Sequence, residues 1–166
     1  MNSAPLNSST NISEEEINQV IEQYANRIFR IAFSRLKNKA DAEDIVQEVF
    51  IKYIANKDKF NDEEHRKAWL IRVTINASNC LLRSAWFRKT TELKDELTTE
   101  LEETTEIYSQ VMQLPEKYRT VVHLFYYEEL SIKEIASILN IKEVSVKTRL
   151  HRSRLMLKNI LDQIEF

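Results

Sequence analysis

Hydrophobic residues recur at helical spacing through the first half of the chain. From Ser13 they follow one another every three or four residues up to Leu36, and Ser13 with Glu16 has the pattern of a capping box. Similar apolar stripes run from Asp41 to Ile54 and from about His65 to Phe87. The pattern predicts three helices whose apolar faces share one core.

The C-terminal part has the pattern of a helix-turn-helix. Pro115 is placed to open one helix, and Ser131 with Glu134 forms a second capping box at the start of a short helix. Residues 140–142 then predict a tight turn, after which a basic helix begins near Glu143. An ordinary helical hairpin with a cationic last turn is the structural alternative.

Composition favours helices over sheets. The chain has 166 residues and no glycine, which excludes motifs that need glycine close to a phosphate, such as a P-loop or a dinucleotide fingerprint. Tight hairpin turns also favour glycine, and only two prolines are present. We therefore predict an all-α fold.

The sequence offers little for catalysis or metal binding. Its single cysteine, Cys80, excludes an intramolecular disulfide, and its three histidines lack metal-ligand spacing. We interpret His123 as a core or interface histidine and Cys80 as buried among apolar neighbours. Its apolar runs are shorter than a membrane span, and the N-terminus does not resemble a signal peptide. We therefore predict a cytoplasmic protein that is not an enzyme and needs no metal or cofactor.

Charge is unevenly distributed although the net charge is only -2. Acids are absent from residues 65–91 and 144–158, both of which are basic, whereas residues 92–106 are strongly acidic. Two basic segments around an acidic one suggest two polyanion-binding faces joined by a solvated spacer. The alternative is that these charges only solvate helix faces.

Several segments resemble the sigma-70 family of RNA polymerase sigma factors. They are DAEDIVQEVF at 41–50, KAWLIRVTIN at 67–76, LPEKYR at 114–119 and VKTRLHRSR at 146–154. The short chain has no segment similar to sigma region 3, so it resembles the extracytoplasmic-function (ECF) group. The resemblance covers about residues 14–160.

The resemblance implies two small helical domains joined by a flexible acidic linker. We expect a flexible N-terminal tail at 1–13 and a region 2-like helical bundle at 14–90, which would bind core polymerase and the −10 element. The acidic linker would span 91–106. A region 4-like helix-turn-helix domain at 107–162 would bind the −35 element.

The resemblance also assigns binding roles to individual residues. The expected core-polymerase-binding residues are Asp41, Asp44, Gln47, Glu48 and Phe50. The expected −10 DNA-binding residues are Arg66, Lys67, Arg72, Asn76, Asn79 and Arg83. The expected −35 DNA-binding residues are Glu143, Val144, Ser145, Lys147, Thr148, Arg149 and Arg152. Trp69 is expected to be a core residue rather than a stacking platform, and Cys80 stands where relatives often have Asp or Asn, so it receives no role.

Together these features indicate an ECF-type sigma factor that directs promoter-specific transcription initiation and assists promoter melting. The implied partners are core RNA polymerase (β′ clamp and β flap), promoter DNA and an anti-sigma factor, without membrane insertion. Two alternatives remain at this point: a stand-alone helix-turn-helix transcriptional regulator and a sigma-like adaptor that binds polymerase without starting transcription. The segment at 41–50 favours the sigma factor over both.

Overall fold

The computed structural model describes residues 13–87 and 105–164, with side chains given to residue 84 in the first range. Within these ranges every regular element is a helix, which agrees with the all-α prediction. The helices are α1 (Glu14–Leu36), α2 (Lys39–Ala55), α3 (Glu63–Phe87), α4 (Glu106–Val111), α5 (Glu116–Val122), α6 (Ile132–Leu139) and α7 (Glu143–Ile164). A 3₁₀ turn at Lys57–Lys59 precedes α3, and a π-helical turn at His123–Tyr127 continues α5. All of the predicted tail except Ser13, and all of the predicted acidic linker except its last two residues, lie outside the described residues.

Helices α1 to α3 form an N-terminal unit with its own core. The predicted capping box starts α1, because Ser13 Oγ accepts from the Glu16 backbone N–H at 3.2 Å and Glu16 accepts from Ser13 N–H at 3.0 Å. The core of this unit contains the buried side chains of Tyr24, Ile45 and Leu70. The predicted three-helix bundle is therefore confirmed.

Helices α2 and α3 each begin two residues earlier than the hydrophobic pattern predicted. The Asn38 side chain accepts from the Asp41 backbone N–H at 2.9 Å, and Asp62 accepts from the His65 N–H at 2.7 Å. Short polar side chains before a helix satisfy its free N–H groups. The caps, rather than the first apolar residues, therefore set where these helices start.

Helices α4 to α7 form a C-terminal unit that contains the helix-turn-helix. Ser131 and Glu134 make the predicted capping box of α6. The turn after α6 is left-handed at Asn140 (φ 52°, ψ 49°), and the Ile141 N–H closes it by donating to the Ala136 carbonyl at 3.0 Å. Asparagine tolerates this conformation better than most residues, so the turn forms in a chain without glycine.

The two units pack against each other. A single hydrophobic cluster contains Ile31, Ile71 and Ile75 of the N-terminal unit together with side chains of the C-terminal unit, among them Val121 and Leu124. Helix α1 lies against α5, and α3 lies against α6. The sequence predicted separate cores joined by a linker, and this shared core was not foreseen.

The structure corrects the prediction for Cys80. Its side chain is exposed on the outer face of α3, whereas we expected burial. Neighbouring Ala77 and Ser78 take the inward positions of that turn. Because both are small, they allow close packing and leave Cys80 facing solvent.

We predict that Ser131→Ala weakens the helix-turn-helix. The substitution removes the oxygen that accepts from the Glu134 N–H at 3.1 Å. Loss of such a cap is expected to lower the free energy of unfolding by about 1 kcal/mol, measured by urea denaturation. Lys133→Ala, at an exposed position of the same helix, is the matched control. Equal midpoints for the two variants would show that the cap contributes nothing.

Candidate protein and nucleic-acid interfaces

Helix α2 presents a polar row to solvent. Asp44, Gln47 and Glu48 are exposed, and Glu48 pairs with Lys52 at 2.7 Å. Asp41 is half-buried at the start of the helix, where its backbone N–H is capped by Asn38. The predicted acidic face therefore exists as one continuous strip along the helix.

Phe50 does not belong to that face. Its side chain is 6% exposed and lies in the core of the N-terminal unit. Helical geometry explains the difference, because position 50 follows Val49 on the inward side of the helix. A direct polymerase contact through this ring is inconsistent with its burial, so we withdraw Phe50 from the predicted surface.

Sequence reasoning missed two exposed apolar residues beside the polar row. Ile51 is 69% exposed and Ile54 is 43% exposed, both on α2. Ile51 follows Asp44 by seven positions and Gln47 by four, which places the three on one face. The sequence alone shows this spacing. Large apolar side chains that are exposed next to polar ones are typical of protein-binding surfaces.

The predicted −10 residues line α3 but differ in accessibility. Arg72, Asn76 and Arg83 are exposed, whereas Arg66, Lys67 and Asn79 are half-buried. Three of these side chains already have partners within the chain. Arg66 pairs with Glu63, Arg72 donates to Ser137 at 3.2 Å, and Asn79 accepts from Arg35. The latter two contacts cross from one helix to another.

Trp69 packs in the core rather than on a solvent-facing platform. Its ring contacts the Phe60 ring edge to face, with 5.1 Å between centroids, and lies against the N-terminal core. Phe60 in turn stacks on the buried Tyr53 at 5.6 Å. The predicted core role of Trp69 agrees with this arrangement.

The last helix carries its polar face outward. Val146 and Leu150 are buried in the cluster shared by both units. On the other side, the exposed members of the predicted −35 set are Glu143, Val144, Lys147, Thr148 and Arg152, while Ser145 and Arg149 are half-buried. The predicted face is therefore available to a ligand.

Two of these side chains, Thr148 and Arg152, have hydrogen-bond partners within the protein that affect how they could contact DNA. The Thr148 hydroxyl donates to the Val144 carbonyl at 2.9 Å, so it is turned toward its own helix. A hydrogen bond from Arg152 lowers the pKa of Tyr118, so this guanidinium lies beside α5. Lys147 is exposed on the same face.

A groove of about 580 Å³ separates α3 from α6. Lys67 and Arg72 of α3 line it, as do Ser131 and Lys133 of α6 and the loop before it. Glu64 and Glu134 also line it, so the groove carries both signs of charge. Two predicted −10 residues therefore face the C-terminal unit.

Buried guanidinium groups connect the two units. Arg119 of α5 donates to the backbone carbonyls of Ser34 and Arg35 at the end of α1, the second at 3.1 Å, and to the Leu114 carbonyl at 2.7 Å. Arg35 donates to Thr120 at 2.8 Å and pairs with Glu116 at 2.7 Å. Burial lowers the pKa of both guanidinium groups, and the negative charge of Glu116 opposes that shift. Both remain protonated at neutral pH.

A second ion pair joins the units at the π-helical turn. Arg27 Nε of α1 lies 2.7 Å from Glu128 Oε2, and Glu128 is only 5% exposed. His123 stacks on Tyr127 beside it, and its Nε2 lies 3.6 Å from Glu128 Oε1. His123 is 1% exposed, as its predicted core or interface role required.

A metal site or a membrane-spanning helix is not evident in the described part of the chain. Among residues 13–87 and 105–164 there is no group of three His, Cys, Asp or Glu side chains arranged to hold a metal ion. Within the same ranges, each helix is too short or too polar to cross a membrane. The surfaces described above are suited to binding macromolecules.

Comparison with family models gives two matches in sequence order. Residues 20–88 match the model of Sigma-70 region 2, and residues 104–157 match that of Sigma-70, region 4. The first match contains α2 and α3 with the polar row, and the second contains the helix-turn-helix.

Individual relatives agree with these matches. The chain is 32% identical over 162 residues to the ECF RNA polymerase sigma factor SigW of Bacillus subtilis (strain 168), covering 86% of this chain and 87% of SigW. It is 30% identical over 159 residues to SigM, another ECF sigma factor of that strain, covering 89% and 96%. Its fold is similar to that of the sigma factor RpoE from Bartonella quintana, solved in complex with the anti-sigma factor NepR, with TM-score 0.74, 19% identity and coverage of 89% and 98%.

Proposed function

Because this chain belongs to the ECF group of the sigma-70 family of RNA polymerase sigma factors, we propose that it binds core RNA polymerase and directs it to promoters with −10 and −35 elements. The observation that carries the proposal is the order of the two matched regions, 20–88 and 104–157. Each region has exposed polar residues, on α2 in the first and on α7 in the second. Catalysis belongs to the polymerase, so the role proposed here is that of a non-enzymatic initiation factor in the cytoplasm.

The α2 strip is the proposed polymerase-binding surface, within a region 2-like domain at 14–90. Asp44, Gln47 and Glu48 supply polar and negative groups for the β′ clamp, and Asp41 lies at the edge of the strip. The exposed Ile51 adds an apolar contact in the same row. Charged groups would set orientation and association rate, and the apolar side chain would add buried area.

The α3 surface is proposed to hold the melted −10 strand. Arg72, Asn76 and Arg83 are exposed along about three turns of α3, next to a segment without acids. Cations attract the backbone of a single strand, and amide groups can bond to base edges. Arg66, Arg72 and Asn79 would contact the strand fully only when Glu63, Ser137 and Arg35 release them, and Lys67 is half-buried.

Helix α7 is proposed to read the −35 element in the major groove, within a region 4-like domain at 107–162 that also contacts the β flap. Lys147, Arg149 and Arg152 would bind phosphates, while Glu143, Val144, Ser145 and Thr148 lie at the end that approaches base edges. The predicted linker at 91–106 would connect this domain to the first.

An anti-sigma factor is a further proposed partner. The solved relative with the similar fold was crystallised with such a protein. A binding partner that covers both units would also cover surfaces needed by polymerase and promoter.

We predict that reversing the charges of the α2 strip abolishes promoter-directed initiation. Purified protein with bacterial core polymerase should produce discrete transcription starts on genomic DNA that core enzyme alone lacks. Asp44→Lys with Glu48→Lys should weaken polymerase binding by about tenfold or more, since opposed charges become like charges. Glu43→Lys, exposed on the same helix, is the matched control.

The outcomes of the transcription experiment distinguish the three candidate functions, which are sigma factor, adaptor and stand-alone regulator. New starts that share upstream elements and that the double variant loses support a sigma factor. Polymerase binding without starts would indicate an adaptor, and DNA binding without polymerase binding would indicate a stand-alone regulator. The match of residues 20–88 to region 2 already disfavours that regulator.

We predict that Lys147→Ala weakens promoter binding without changing sequence preference. A lysine that neutralises one phosphate contributes about one unit to the slope of log K against log salt. The variant should therefore lower the slope of holoenzyme binding to duplex promoter DNA by about one. Lys158→Ala, at an exposed position near the other end of α7, is the control. An unchanged slope would remove Lys147 from the DNA contacts.

A further inference from the structure

The outward face of α7 begins with an apolar side chain. Val144, in the first turn of this helix, is 70% exposed, more than any other large apolar side chain in the described part of the chain. Thr148 is exposed one turn later on the same face, because residues four positions apart are neighbours on a helix surface. A single apolar side chain on a surface is ordinary, so the surroundings of Val144 decide what it can do.

Thr148 adds a methyl group to this face rather than a free hydroxyl donor. Its Oγ1 donates to the Val144 carbonyl at 2.9 Å, so the hydroxyl proton is already used within the helix. The oxygen keeps lone pairs that can accept a hydrogen bond, but in this arrangement it cannot donate to a base. The methyl groups of Val144 and Thr148 therefore form a short apolar row, which we call the methyl pair.

Two cations flank the methyl pair. At 3.6 residues per turn, Lys147 lies about 60° to one side of Val144 around the helix axis, and Arg152 lies about 80° to the other. Both are exposed, and Arg152 has further N–H groups for a phosphate besides the one that bonds to Tyr118. Phosphate backbones form the two walls of a DNA major groove, and base edges form its floor. When each cation faces one wall, the methyl pair faces the floor.

The chemistry of valine limits what it can read on that floor. Its side chain has no hydrogen-bond donor or acceptor, so it discriminates between bases only by apolar contact. The C5 methyl group of thymine is the apolar group that marks an A·T pair in the major groove. Cβ atoms four positions apart on a helix are about 5–6 Å apart, and base pairs stack about every 3.4 Å. Two contacted thymines would therefore lie within about two base pairs of each other, on either strand.

We propose that the methyl pair reads thymine: Val144 and Thr148 contact the methyl groups of two thymines in the −35 element and select that element by apolar contact. This inference rests on the proposed function, in which α7 binds the −35 element. Burying one methyl group changes affinity by about fourfold. The two contacts favour A·T pairs over G·C pairs, which carry no methyl group in the major groove.

Deoxyuridine tests the contact directly, because it pairs like thymine but lacks the methyl group. Promoters are first obtained by mapping the transcription starts that the protein directs with core polymerase. Each thymine of the −35 element, on either strand, is then replaced by deoxyuridine, and holoenzyme binding to the duplex is measured at one fixed salt concentration. Affinity should fall about fourfold at the two contacted thymines. Deoxyuridine in the spacer between the elements is the control and should leave affinity unchanged.

Substitutions in the protein assign each methyl contact to a side chain. Val144→Ala should bind the thymine and deoxyuridine promoters almost equally at one of the two positions, and Thr148→Ser should do so at the other. Thr148→Val lacks the hydroxyl but keeps the methyl group, so its preference for thymine should match that of wild type. Leu155→Ala removes another exposed apolar side chain of α7, about 16 Å further along the helix, and should also keep the preference.

Failure of this inference and failure of the proposed function give different results. Discrete starts whose −35 thymines can all be replaced by deoxyuridine without loss of binding would overturn the methyl contacts and leave the sigma factor role intact. A thymine preference that survives in both Val144→Ala and Thr148→Ser would assign the contacts to other residues and would also overturn the inference. If the protein directs no starts at all, the proposed function fails and the inference fails with it.

Discussion

Replacing Ile75 with Ala is expected to lower the free energy of unfolding by about 2–5 kcal/mol. Ile75 is 1% exposed on α3 and belongs to the cluster that contains side chains of both units. The substitution removes the side-chain atoms beyond Cβ and leaves a cavity. The close-packed helices around it cannot easily move together to fill that cavity. Urea denaturation followed by circular dichroism measures the change.

Ile51→Ala is the matched control for that experiment. The substitution is chemically identical, but Ile51 is 69% exposed, so its effect should stay within about 0.5 kcal/mol. A similarly small effect at Ile75 would show that this side chain is hydrated, and therefore that the units do not share a core in solution. A transition that remains single in both variants would indicate that the units unfold together.

Arg119→Met is expected to destabilise the protein by about 3 kcal/mol. Methionine fills part of the space but donates to none of the carbonyls of Ser34, Arg35 and Leu114. Each buried acceptor left without a donor costs about 1–3 kcal/mol, and partial access of water reduces the sum. Thermal and urea unfolding should both report the loss.

Arg154→Met provides the comparison for Arg119→Met. Arg154 is an exposed arginine of the C-terminal unit that donates only to the Tyr126 hydroxyl among the contacts described. Its replacement should change stability little. If the two variants were equally stable, the guanidinium of Arg119 would be hydrated rather than inserted at the end of α1.

Local features of the fold were predictable because local chemistry determines them. The capping boxes at Ser13 and Ser131 and the left-handed Asn140 each depend on residues within a few positions of one another. The exposure of the basic face of α7 was equally predictable, because a helix that buries Val146 and Leu150 turns its opposite face toward solvent.

Contacts between distant segments were not predictable in the same way. Periodicity shows that Ile71 and Ile75 are buried, but it does not show that Val121 covers them. Phe50 was assigned to a surface because it ends a family motif, although its helical position turns it inward. Sequence reasoning assigned no role to Arg35, or to Arg119 beyond its place in a motif, and only the fold brings each to buried carbonyl or hydroxyl partners.

The hydrophobic cluster shared by the two units also has a consequence during synthesis of the chain on the ribosome. Roughly 60 residues separate Ile75 from Ile138 of α6, and ribosomes add about 5–20 residues per second, so the N-terminal unit waits about 3–13 s for the helices that cover it. During that interval Ile31, Ile71 and Ile75 face water on a nascent chain. A messenger truncated before α5 would release the same uncovered surface permanently, and such fragments should aggregate or be captured by chaperones.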